Sequence, residues 1–279
     1  MKRSEQKDLR KILSRAPDQQ RHLPDFLSRQ KTQMYAKVSE FFRNAHEVSV
    51  HDEFHVCSLP ADTWRFEQAY FRETKHLPAK VMFTGFEKNS DAFDRGIRNA
   101  PWAAYEHPVT SSMQKFEALN MEYFKTNRSR YLCMNIHDAV CATPKLFRPS
   151  LVATKPSARE CCAEFFATFT AWDAVWLDFN GCLSESMMRI LSNIGRCIRT
   201  GNEIIPVVVT VAKGREDRPV MSALRGMPDR SQARQQLIEK LLDVRKDYQF
   251  CLYNSWEYVR DGGKVQMLNV FGYYEKLQH

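Results

Sequence analysis

The sequence predicts an α/β protein: a seven-stranded, mostly parallel sheet with helices on both faces, a C-terminal antiparallel β-hairpin and an N-terminal helical extension. Three observations predict it. From Glu47 onward, short β-rich runs alternate with helical patterns, the signature of parallel strands joined by crossover helices. The run Glu203–Val211, EIIPVVVTV, is apolar on both faces, as in the middle of a covered sheet. The last two runs, Tyr248–Tyr258 and Lys264–Tyr274, flank Asp261-Gly262-Gly263, a hairpin signal.

The elements follow in order. Pro17 and Pro24 break the first segment, so two helices with a turn at 16–24 are expected, the second from Asp25 to about Arg43. Phe54–Ser58 ends the first strand. Asp62 is placed to cap a helix Thr63–Phe71 that buries Trp64, Ala69 and Phe71. Lys80–Phe86, ending VMFTGF, is the second strand, and Ser90 caps a short helix that stops before Pro101. Arg130–His137 is the third strand, ending at Asp138. Ser157 and Glu160 form a capping box for a helix carrying Phe165, Phe166 and Phe169. Ala174–Leu177 is the fourth strand and closes on Asp178-Phe179-Asn180-Gly181. Ser184 caps a helix Glu185–Arg199, and Gly201 lies past its end. Pro206 suggests an irregular start to the fifth strand. Asp229 or Ser231 opens a helix to about Arg245, with Ala233, Leu237, Leu241 and Leu242 inward. Residues 98–128, with Pro101, Trp102, Tyr105 and Phe116, fit no element and read as an aromatic-rich insertion. The division is 1–45, a basic helical extension, and 46–279, one α/β domain.

Composition narrows the class. Of 279 residues, 43% are apolar and 27% charged, which is ordinary for a globular chain. The longest apolar runs are too short to span a bilayer, and no apolar stretch follows the basic start, so no secretory signal is expected. Eight cysteines without a C-x-x-C pair read as reduced thiols, and the expected compartment is cytoplasmic. The net charge is +8, and residues 1–45 hold eleven basic and five acidic residues, a local excess of +6. Such an arm attracts polyanions, nucleic acid above all. Lys2, Arg3, Lys7, Arg10 and Lys11 are the candidate phosphate contacts, and a solvated helical extension is the plainer reading of the same residues.

Five helix-linked strands, then a helix and a β-hairpin, with acidic residues at three strand ends, resemble the class I S-adenosylmethionine-dependent methyltransferase fold over roughly residues 47–275. The L-D-F-x-G strand end also resembles proteins of phage and mobile-element genomes. The resemblance implies S-adenosylmethionine as cofactor. It implies cofactor contacts at Pro60, Glu87 and Lys88 in FTGFEKN, and Asp138 in NIHDAV, with Glu87 holding the ribose and Asp138 near the adenine. It places the catalytic motif at Asp178-Phe179-Asn180-Gly181, similar in place to the aspartate-aromatic loops of nucleic-acid amino-methyltransferases but lacking D-P-P-Y. One departure stands out: Cys57-Ser58-Leu59-Pro60-Ala61-Asp62 replaces the family's glycine-rich loop and holds no glycine. A helix N terminus near Asp62–Trp64 still offers free N–H groups.

Methyl transfer to an exocyclic base amine needs acceptors for N–H, which the Asp178 carboxylate and Asn180 carbonyl provide, while Phe179 and Trp102 are candidates for stacking on bases. A turn cap is the alternative role of Asp178. His51, Glu53, His55 and Cys57 share strand parity, but polar residues on a solvated strand face explain them without a metal, and no metal is expected. No nucleophile elbow or P-loop occurs. Two readings result: a methyltransferase acting on RNA or DNA, or a methyltransferase-like module that has lost its cofactor loop and binds nucleic acid or a protein partner.

Overall fold

A computed structural model describes residues 29–60, 63–87, 89–97, 110–112, 130–133, 136–141, 172–214, 216–225, 230–243, 247–259 and 265–277. The strands are β1 (Glu53–Ser58), β2 (Lys80–Phe86), β3 (Thr110–Ser112), β4 (Arg130–Cys133), β5 (Ala174–Cys182), β6 (Ile204–Lys213), β7 (Tyr248–Val259) and β8 (Gln266–Lys276). The helices are α1 (Arg29–Glu47), α2 (Arg65–Thr74), α3 (Ser90–Ile97), α4 (Ile136–Cys141), α5 (Glu185–Ile194), α6 (Arg218–Ala223) and α7 (Arg230–Leu242).

The eight strands among the described residues form one sheet in the order β3-β4-β2-β1-β5-β6-β8-β7. The pairs from β3 through β6 are parallel, and β8 runs antiparallel between β6 and β7. This is the mostly parallel α/β sheet with an antiparallel C-terminal pair that the sequence predicts, with one strand more than expected: β3, three residues from the segment read as an insertion, pairs with β4. Consecutive strands β1, β2 and β4 step one way from the centre, and β5 and β6 step the other. The switch therefore lies between β1 and β5.

Each face of the sheet buries one helical layer. On one face Met34, Val38, Phe42 and Ala45 of α1, and Phe66 and Tyr70 of α2, cover Val56, Trp176, Val208 and Phe271. The α1 positions recur at three and four residues, one stripe of the helix. On the other face α5 and α7 cover Val175, Leu177, Val207, Val209 and Val211. The ladder between β6 and β8 is continuous from Ile204 to Lys213, so the irregular start expected at Pro206 is absent there. The parallel ladder to β5 begins at Val207, one residue past the proline.

Several boundaries differ from expectation. The boundary at 45 falls inside α1, whose Met34, Val38 and Phe42 are fully buried; this part of the basic segment is core rather than appendage. Helix α2 starts after Trp64, without a side-chain cap. Ala69 and Phe71 are only half-buried. The cap of α3 is Asn89, whose Oδ1 accepts from Ala92 N at 2.9 Å, one residue before Ser90. Strand β4 stops at Cys133, so Asp138 lies within α4 and not at a strand end. Strand β5 runs through Asp178–Gly181 to Cys182. Ser184 does cap α5, accepting from Met187 N at 3.3 Å, but the helix gives way to a 3-10 turn at Gly195, where a Cβ would lie 2.9 Å from the Tyr274 hydroxyl. Gly201 takes φ +121°, as its place past the helix requires. The capping box at Ser157 lies outside the described residues.

Candidate functional site

Open α/β sheets bind ligands at the carboxyl ends of their strands, at the switch point. Here that crevice is bounded by the β1–α2 connection, the end of β2, the end of β5 and the first turn of α1.

The end of β5 is bulged. Asp178 pairs with Thr210 and Cys182 with Ala212, so Phe179, Asn180 and Gly181 stand against Val211 alone. Bulges beside active sites re-aim side chains and interrupt pairing. What reads in sequence as a strand end is thus an irregular stretch inside a central strand. Asp178 keeps the parity of Ala174 and Trp176 and shares their α1-side face. Its side chain is 14% exposed, and its Oδ2 lies 3.6 Å from Lys31 Nζ. Lys31 in turn sits over the Tyr35 ring, 5.6 Å from its centroid, and Tyr35 meets Trp176 edge-on. A buried polar chain supports this floor. Trp176 Nε1 donates to Thr210 Oγ1 at 3.3 Å, Thr210 donates to Asn269 Oδ1 at 2.7 Å, and Asn269 Nδ2 donates to the Trp256 carbonyl at 3.2 Å.

Glu67, in the first turn of α2, is 2% exposed. Burial pushes its carboxyl up to about 7, and the charge of Asp178 pushes the same way; its own backbone N–H, the Ser58 hydroxyl and Lys31 oppose the rise. Ser58 closes β1 and is fully buried; its Oγ has no hydrogen-bond partner of good geometry among the described residues. Ser58, Glu67, Asp178 and Lys31 are thus electrostatically linked groups at one end of the sheet. Burial thus favours the neutral form of Glu67, while Asp178 lies directly against Lys31.

The connection after β1 makes its turn without glycine. Trp64 adopts φ 50° and ψ 31°, the left-handed region, and is completely buried. A non-glycine residue there costs about 1–2 kcal/mol, offset by burying the indole. The ring needs Gly85: a Cβ at that position would overlap Trp64 Cη2 and lie 2.9 Å from Pro60 Cγ. Pro60 therefore packs, buried, over the end of β2. Glu87 follows two residues beyond Gly85 and is half-buried; its Oε1 accepts from Asn89 N at 2.8 Å, holding the turn.

Of the residues singled out in sequence, Pro60, Glu87 and Asp178 border this crevice. Phe179 does not serve as a stacking surface: it is 7% exposed and packs among Leu177, Leu183 and Leu191 on the α5 side, because strand alternation turns it to the face opposite Asp178. Asp138 is displaced into α4, as noted, and its side chain and that of Asn180 lie outside the described set. So do Lys88, Trp102, Lys2, Arg3, Lys7, Arg10 and Lys11. In the set once weighed as a metal site, Glu53 pairs with His55 at 3.1 Å while Cys57 is buried on the α5 side. No three metal-binding side chains converge among the described residues.

Sequence reasoning missed Lys31, Glu67 and Trp64 as site residues. Glu67 did carry a signal: it interrupts the buried stripe Trp64, Tyr70 and Thr74 at helical spacing. Lys31 carried none, since only the tertiary fold brings it to Asp178.

No family model matches the chain, and no curated protein matches it. Among solved structures, the chain is similar to the N-methyltransferase NodS from Bradyrhizobium japonicum WM9 in complex with S-adenosylhomocysteine, at 8% identity and TM-score 0.43, covering 98% of each chain. It is similar to the plantazolicin methyltransferase BpumL bound to S-adenosylhomocysteine, at 9% identity and TM-score 0.44, covering 96% of this chain and 95% of that one. It is also similar to the cyclase SpnF, at 10% identity and TM-score 0.39, covering 86% and 82%.

Proposed function

We propose that the protein is an S-adenosylmethionine-dependent methyltransferase acting on nucleic acid, RNA or DNA, with an exocyclic base amine as the acceptor. The observation that carries this reading is the position of Asp178, the last residue of β5 in register with β6 before the bulge, 3.6 Å from Lys31 at the switch point of the sheet. The residues present fit the cofactor. The Glu87 carboxylate, just past the end of β2, suits a ribose diol, and the start of α2 brings backbone N–H groups to the same end of the sheet. When bound, S-adenosylmethionine supplies an electrophilic methyl group on a sulfonium.

The chain's own residues orient the acceptor. The Asp178 carboxylate accepts an N–H hydrogen bond from the amine, and Lys31 fixes the direction of that carboxylate. Asn180, two residues on, is the second proposed acceptor. Such bonds matter most where charge develops in the transition state. The excess of basic residues in the first 45 positions suits a phosphate backbone.

A second reading draws on a different observation. Pro60 and Trp64 fill the space over Gly85, in a connection that lacks the family's glycines. On that reading the fold has lost its cofactor and only binds nucleic acid or a protein partner.

Calorimetric titration with S-adenosylmethionine and labelled methyl transfer to pooled RNA and DNA separate the two. The enzyme reading expects binding, weakened by about 1–3 kcal/mol in Glu87→Ala, the scale of a hydrogen bond to a charged group. It expects Asp178→Ala to lower transfer by a factor on the order of 10² while the cofactor still binds. Absence of both binding and transfer in the folded wild-type protein establishes the second reading.

A further inference from the structure

We propose that the groove between α1 and β7 is a stacking platform for single-stranded nucleic acid. The proposal rests on the reading that the partner is nucleic acid, and adds strandedness and a location. The groove begins at the candidate site. Gln30, beside Lys31, accepts through Oε1 from Val259 N at 3.0 Å, joining the first turn of α1 to the end of β7. One flank of α1 then carries Lys37, whose Nζ lies 4.4 Å from the Trp256 ring centroid, and Phe41, whose ring stacks on Tyr253 at 5.3 Å and 20°. From Lys31 to Phe41 this track spans about 15 Å of helix.

A bulge in β7 creates the platform. Leu252 pairs with Gly272 and Asn254 with Phe271, leaving Tyr253 as an extra residue. Before the bulge, even-numbered Tyr248 and Phe250 face the α5–α7 layer; after it, even-numbered Trp256 and Tyr258 face the α1 layer. A one-residue slip moves side chains to the other face. Tyr253 at the slip is 66% exposed, with Phe41 against one face of its ring. A large aromatic held flat by another aromatic is costly to leave in water and suits a base, which presents a π-face whatever its identity.

Charge selects the occupant. Lys37 is exposed and has no carboxylate within ion-pair distance among the described residues. The nearest acidic residue on β7, Glu257, is paired with Lys213 at 2.8 Å. A cation held over the Trp256 ring, in a chain of net charge +8, complements phosphates and bases together. A duplex buries its base faces in its own stack and cannot use such a platform.

The test uses the full chain and labelled 12-mer oligonucleotides, single-stranded oligo(U) and oligo(dT) and a duplex of matched length, followed by fluorescence anisotropy over a salt series. The expected result is preference for the single strands. Tyr253→Ala should weaken them about 5- to 150-fold, the range for loss of one stacked base, while Tyr253→Phe retains affinity. Lys37→Gln should lower the salt slope by about 0.7, one phosphate on a single strand. Melting curves and S-adenosylmethionine titrations should be unchanged in all three variants. If the wild-type protein binds the oligonucleotides and Tyr253→Ala and Lys37→Gln alter neither affinity nor slope, the platform is refuted and the nucleic-acid reading survives. Binding of neither single strand nor duplex overturns both. A wild-type dimer that Tyr253→Ala converts to monomer assigns the groove to self-association and overturns the platform.

Discussion

Lys31 Nζ stands 3.6 Å from Asp178 Oδ2, so the first turn of α1 is tied to the bulged end of the central strand β5. Both side chains are partly exposed, at 25% and 14%, and such a pair contributes less than about 1 kcal/mol to stability. Its value is in direction. Lys31→Met should leave the melting transition nearly unmoved and lower methyl transfer by about 10²-fold, the scale of a small misplacement of reacting groups. The KM for S-adenosylmethionine should hold while kcat falls, and Lys31→Arg should restore part of the rate. A matched loss in Lys31→Met and Lys31→Arg, with unfolding, makes the contact purely structural.

Glu67 gives the protein a stability that depends on pH. Its folded pKa, about 7, is above the ordinary 4.5 because burial disfavours the charge. The folded state therefore holds its proton where the unfolded state has released it, and stability falls as pH rises from about 4.5 to 7. The full span corresponds to about 3 kcal/mol, with little further loss above it. Urea melts of Glu67→Gln should lack this slope and exceed wild type at pH 8. Parallel pH profiles for the two proteins contradict the assignment.

Gly85 is required by the ring that lies against it. Gly85→Ala sets a methyl against Trp64 and Pro60 and should cost about 1–3 kcal/mol, read as a lower urea midpoint at constant slope. Trp64→Phe in the same chain should relieve part of the clash, so the double variant is more stable than the sum of the singles. Strict additivity argues that the two residues do not meet.

Arg234 and Glu216 form a buried ion pair, with side chains 5% and 1% exposed, between α7 and the loop after β6. Arg234→Met alone or Glu216→Gln alone should cost about 3–5 kcal/mol, because one buried charge or its partner is stranded. Arg234→Met with Glu216→Leu should recover most of that loss in the same denaturant melts. Small effects from the single variants mean that water reaches the pair.

The sequence by itself determined the alternation of strands and helices, the doubly buried β6, the hairpin β7–β8 and the cap at Ser184. Each is written in local periodicity or in one residue's hydrogen-bonding reach, and local signals survive without tertiary context. It also marked Glu87 and Asp178 as acids near strand ends. Ordinary alternation along β5 already sets Asp178 and Phe179 on opposite faces. Tertiary structure alone decided where alternation breaks: the bulge at Tyr253 flips the parity of β7, and a register slip of this kind depends on pairing with β8, which no single strand encodes. It also recruited Lys31 and Glu67, because a contact between α1, α2 and β5 follows from how helices pack across a sheet rather than from spacing along the chain.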